Sequence, residues 1–145
     1  MTLVHVITVD DGRTTEQLVV AGDYGYAHSC VTSENFPVRH LGAGEREIVL
    51  LELHRDVSAP DAIAEAARQQ LERPVHEDAL YFGAQYPDVQ RAGPVVFLHE
   101  PWLGYFGRLD VICLWTNAGR REIGLVGFED LQPRDTRFAF VRAQP

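Results

Sequence analysis

The chain has 145 residues, 46 % of them hydrophobic and 23 % charged, with a formal net charge of −8. One domain of this length buries roughly 68–70 % of the surface its unfolded chain exposes, so the composition describes a single α+β domain over residues 1–145 that needs no disulfide or metal for stability. The acidic balance opposes nucleic-acid phosphates.

All thirteen basic residues are arginine, the codon signature of a GC-rich, bacterial coding sequence, and they form no phosphate-binding stripe. The N-terminus lacks a basic stretch and reaches Asp10 before a signal-peptide core could form, and no apolar run approaches a membrane span. The expected location is the cytoplasm, with no membrane partner and with Cys30 and Cys113 as free thiols.

In chain order, Val4–Gly22 reads as a β-hairpin turning at Asp11-Gly12, with Val9 opposite Thr14 and His5 opposite Leu18. A Gly/Ser/Asn/Pro-rich stretch follows, with a short strand expected within 26–31. Residues 45–54 carry an apolar run, at 48–51 and 53, suited to a central strand. Pro60 and Asp61 open the clearest helix. Its expected apolar stripe is Ile63, Ala66, Ala67 and Leu71, its exposed pair is Arg68–Glu72, and it stops at Arg73-Pro74. A second helix covers about His76–Tyr86, where Glu77 and Asp78 should favour protonated His76. Strands are expected at 95–99, 108–115, 122–128 and 136–142, with Leu109, Val111, Cys113 and Trp115 on one face. The sum is an α+β fold: a mainly antiparallel sheet of about seven strands with the helix pair on one side. The first hairpin and the closing strand are its expected edges, which invite self-pairing and so a possible homo-oligomer.

Few residues carry a chemical signature. FLHEPW, residues 97–102, ends a strand; neighbours alternate sides, so His99 should cap the core while Glu100 is solvated. The following WLGYFG places Trp102, Tyr105 and Phe106 in a glycine-containing connection, which serves either as a hydrophobic plug or, with a ring exposed, as a recognition surface. Trp102, Tyr105, Phe106, His99 and Glu100 are therefore the candidate binding residues. His28 and Cys30 at i, i+2 begin an alternative metal or thiol site, which would have to recruit His99, His40 or His54. Phosphate-loop, zincin and nucleophile-elbow motifs are absent.

The leading expectation is thus a binding or protein-interaction module without catalysis or cofactor, taking an unknown protein partner or small ligand. The alternatives are a small-molecule or metal-dependent, hydrolase-like enzyme built from His28, Cys30 and His99, and an acidic inhibitor or immunity-type protein that covers a basic partner.

Overall fold

The computed structural model describes residues 3–10, 12–39 and 42–143. Nine strands and three α-helices are present among them. The strands are β1 (Leu3–Val9), β2 (Tyr26–Ala27), β3 (Gly44–Glu52), β4 (Leu71–Glu72), β5 (Val95–Phe97), β6 (Trp102–Leu103), β7 (Leu109–Asn117), β8 (Arg120–Gly127) and β9 (Arg137–Arg142). The helices are α1 (Thr15–Ala21), α2 (Ala59–Arg68) and α3 (His76–Gln85). None is long and apolar enough to cross a membrane.

All nine strands join one sheet of order β1-β3-β9-β5-β7-β8-β2. It is mixed, not purely antiparallel: β5 runs parallel to β9 and β2 parallel to β8, while the other pairings are antiparallel, and it has nine strands rather than the expected seven or so. The closing strand β9 is interior, between β3 and β5, rather than an edge. Between β9 and β7 the row is shared by three short pieces. β5 faces Arg137–Ala139 of β9, β4 faces Val141 and Arg142, and β6 faces Leu109 and Asp110 of β7.

The expected first hairpin does not form. Asp11 lies outside the described residues, and the stretch beyond it is helix α1. The reason is a capping box: the Gln17 N–H donates to Thr14 Oγ1 at 3.1 Å, and the Thr14 N–H donates to Gln17 Oε1 at 2.9 Å. Two helix-end donors are satisfied at once, and this outweighs the strand preference of Leu18, Val19 and Val20. Leu18 goes into the core instead of pairing with β1.

The helices also divide between the two faces. On one face, α1 and α3 cover Ile7, Ile48, Leu50, Val95, Ile112 and Leu114. On the other, α2 covers Val49, Leu51, Val96, Phe138 and Phe140. The expectation of a helix pair on one side is corrected accordingly; strands interior to a sheet covered twice must be apolar on both sides, as β3, β5 and β9 are. Helix α2 buries Ala59, Ala62 and Ala66, whereas Ala67 is exposed. It ends at Arg68 rather than Arg73, because Gln70 adopts a left-handed φ of 62° and the chain turns into β4. Glu72 is then in a strand, and Arg68 pairs with Glu65 at 2.6 Å instead.

Helix α3 is buried along most of its length, including Glu77 and Asp78. Asp78 holds Arg46 with two hydrogen bonds of 2.7 and 2.9 Å, and its Oδ2 also accepts from the Val75 N–H at 2.9 Å. Glu77 accepts from the Arg39 N–H at 3.0 Å. His76 lies against Pro37 O and Phe36. Burial lowers its pKa despite the neighbouring carboxylates, which corrects the expectation of a stabilised imidazolium.

Candidate functional site

The FLHEPW stretch occupies the break in the shared central row. Past Phe97 the chain leaves β7, and Pro101 has no N–H to give a ladder. The Ile112 N–H would then face a missing strand. His99 fills the gap: its Nε2 accepts from the Ile112 N–H at 3.0 Å, and its Nδ1 donates to Glu100 O at 2.7 Å. Arg73 closes the other side, donating to Leu98 O at 2.9 Å and to His99 O at 2.8 Å. With 1 % of its surface exposed, His99 is held neutral, its pKa pushed by burial from 6.5 to about 3. Both ring nitrogens serve the backbone, so His99 has no lone pair to offer a metal or a substrate. Glu100 points outward and pairs with Arg73 at 2.9 Å. Neither residue lines the pocket described next.

Beyond the break, β6 and β7 form a tight hairpin. Gly107 donates to Gly104 O at 3.1 Å, the Gly104 N–H donates to Arg108 O at 2.9 Å, and Gly107 takes a left-handed φ of 75°. This is a three-residue loop with a glycine bulge, a geometry open to glycine at little cost. Tyr105 and Phe106 are its central residues and must project from the tip. Tyr105 is 73 % exposed and Phe106 100 %. A hydrophobic plug would have buried them; only Trp102 folds back, half-buried against Phe36 with ring centroids 5.4 Å apart. Tyr105 stands at 89° to the Trp102 ring, with centroids 5.8 Å apart.

A pocket of about 380 Å³ opens at this corner. Trp102, Gly104, Tyr105 and Phe106 form its hairpin side. Opposite them lie His28 and Cys30, delivered by the turn after β2, where the His28 N–H donates to Ile123 O at 2.9 Å. Leu125 of β8 completes the apolar lining, and Arg108 and Asp110 supply charge. Asp110 is the register partner of Trp102, so the two side chains leave the same face of the sheet. Its side chain is only 9 % exposed, and its Oδ1 lies 2.6 Å from Nε of the largely exposed Arg108.

The candidate residues thus separate into two groups. Trp102, Tyr105 and Phe106 share the pocket with His28 and Cys30, whereas His99 and Glu100 stand apart. The alternative metal set of His28, Cys30 and His99 does not assemble; no metal-holding group of three or more His, Cys, Asp and Glu exists among the described residues. His54 is exposed at a left-handed turn, and His40 lies outside the described residues. His28 is also turned away from thiol activation, since its Nδ1 accepts from the Cys30 N–H at 3.0 Å. Cys113 is fully buried, which drives its thiol pKa up to about 12 and makes it inert.

Sequence reasoning missed Arg108, Asp110 and Leu125. A signal for Asp110 was available: with Val111, Cys113 and Trp115 on one face of β7, the carboxylate falls on the face of Ile112 and Leu114, where an apolar residue belongs. Comparison with protein-family models, with curated proteins and with solved structures finds no match to this chain.

Proposed function

We propose that the protein is a binding module without catalysis of its own, and that the pocket at the β6–β7 hairpin receives a compact, largely apolar group. The group comes from a small ligand or from a side chain of a partner protein. The observation that carries this reading is the exposure of Tyr105 and Phe106 beside an open pocket, in a chain whose other large aromatic side chains, Tyr26 apart, are buried or half-buried. Rigid aromatic rings offer broad contact at low rotamer cost, and a pocket of about 380 Å³ lies within the usual range for small-molecule sites. The non-catalytic part rests on the histidines. His99 spends both ring nitrogens on the backbone, and His28 spends Nδ1 on Cys30. Neither histidine is thereby placed as the base of a base–nucleophile pair of the kind acyl transfer needs.

The test is capture of partners and ligands by the wild type and by Trp102→Ala and Tyr105→Ala, each checked for an unchanged melting temperature. Loss of the captured species with retained fold is the expected result. Capture that is indifferent to both substitutions would place the binding surface elsewhere.

A further inference from the structure

We infer that the group taken by this pocket is an organic cation, an alkylammonium head seated in the right-angled corner of Trp102 and Tyr105 and facing the carboxylate of Asp110. This rests on the binding reading of the pocket and goes beyond it by naming the ligand's charge.

Three observations converge. Trp102 and Tyr105 stand perpendicular at 89° in an edge contact with centroids 5.8 Å apart, and both rings line the pocket. The electron-rich faces of aromatic rings attract a cation, and quaternary ammonium groups are the ligands that perpendicular aromatic walls suit best. Second, the protein already fills other ring faces with its own arginines: Arg13 over Tyr81, Arg73 over Phe128, Arg120 over Tyr26 and Arg121 over Tyr24. Among the described residues no arginine lies over Trp102, Tyr105 or Phe106. Arg108 lines the same pocket but is held at Asp110 instead.

Third, Asp110 brings a carboxylate to an apolar pocket at a core-facing strand position. A carboxylate so placed is costly unless it has a partner. The one it has, Arg108, is a side chain 60 % exposed whose Nε lies 2.6 Å from Oδ1 without hydrogen-bond geometry, so an arriving cation can share or replace it. The net charge of −8 draws cations toward the surface and repels anions. A ligand anion would need Arg108 free and would meet Asp110 at close range, which is why the cation is the favoured charge.

An alkylammonium head can be supplied by a free small molecule or by a methylated lysine on a partner chain, and the experiment separates the two. Wild-type protein is titrated with choline, with its neutral isostere 3,3-dimethylbutan-1-ol, and with short peptides carrying trimethyllysine or lysine at one position. Tryptophan fluorescence and calorimetry serve as readouts. The expected result is saturable binding of choline, of the trimethyllysine peptide, or of both. The cationic probe should bind at least about tenfold more tightly than its uncharged or unmethylated counterpart.

Asp110→Asn should weaken that binding by about tenfold or more, and Arg108→Gln should strengthen it. Asp110→Asn could disturb the hairpin, so Tyr105→Leu, at an exposed site, provides the second arm. It should lose the preference for the cation, and Tyr105→Phe should restore it. Equal binding of choline and its neutral isostere, unchanged in Asp110→Asn, would overturn the cation while leaving an apolar binding pocket intact. Binding weakened by Arg108→Gln, or no binding of any cationic probe, would overturn the inference as well. Ligands captured from extracts through Tyr105 would in that case still uphold the pocket itself.

Discussion

Mild acid should destabilise this protein through His99 before its carboxylates titrate. In the folded chain the imidazole is neutral, donating from Nδ1 to Glu100 O and accepting at Nε2 from Ile112. A second proton would remove the acceptor at the break in the central row and place a charge against Phe36 and His76. The unfolded chain takes that proton near pH 6.5, while the folded one resists until about 3. A group whose folded pKa is depressed contributes stability that is present above its unfolded pKa and lost as pH falls toward its folded pKa. Between pH 7 and pH 5 the loss from His99 alone is about 2 kcal/mol at about 1.4 kcal/mol per unit. The figure holds for any folded pKa well below 5, so it does not depend on the depth of the shift. His76 and His5 are shifted the same way by burial and add to the slope.

Urea melts at pH 7, 6 and 5 read this directly. His99→Gln keeps an acceptor for Ile112 but cannot titrate; it should be weaker than wild type at pH 7 and lose about 2 kcal/mol less between pH 7 and pH 5. An equal loss in wild type and variant, or a His99 imidazole that titrates near 6.5 by NMR, would refute the reasoning.

Other perturbations test other parts of the fold. Asp78→Ala strands Arg46 and the Val75 N–H, and should cost about 3 kcal/mol in a chemical melt, the range found for breaking a buried ion pair. Thr14→Ala removes the capping box of α1 and should cost about 1 kcal/mol. Gln85 covers the free edge of β1, accepting from the Thr8 N–H at 2.9 Å and donating to Thr8 O at 2.7 Å, while Tyr86 donates to Val6 O at 2.6 Å. Gln85→Ala should therefore increase self-association by light scattering, since a bare edge beside exposed Val4 and Val6 invites pairing.

The strands were legible wherever alternation or a continuous apolar run dictated them. Val111, Cys113 and Trp115 do share a face, and the apolar run at 48–51 lies in an interior strand covered twice. Helix α2 announced itself through Pro60 and Asp61 at its start; its N-cap Ser58, whose hydroxyl accepts from the Asp61 N–H, was not read from the sequence. Helix α1 was hidden because Leu18, Val19 and Val20 suit a strand, and the local caps Thr14 and Gln17 decided the contest. No residue pattern could show that α2 and α3 lie on opposite faces, since this depends on where β4 and β5 insert between β9 and β7. At the site, the hairpin aromatics and the His28–Cys30 pair were each visible as separate short stretches. Their meeting was not visible, because it follows from the β2–β8 pairing, in which Tyr26 lies against Glu122 at a sequence distance no short motif spans. His99 illustrates the converse: it was conspicuous in sequence, and its chemistry is spent on holding the sheet together.

The most direct test of the hairpin pocket as the binding site is a pair of native mass spectra, of wild type and of Tyr105→Ala, each after incubation with a cell extract and set beside its denatured mass. The expected result is added mass on the folded wild type that disappears on denaturation and is missing from the folded variant. Added mass retained equally by the variant, or none on either protein, would contradict the pocket as the site of function.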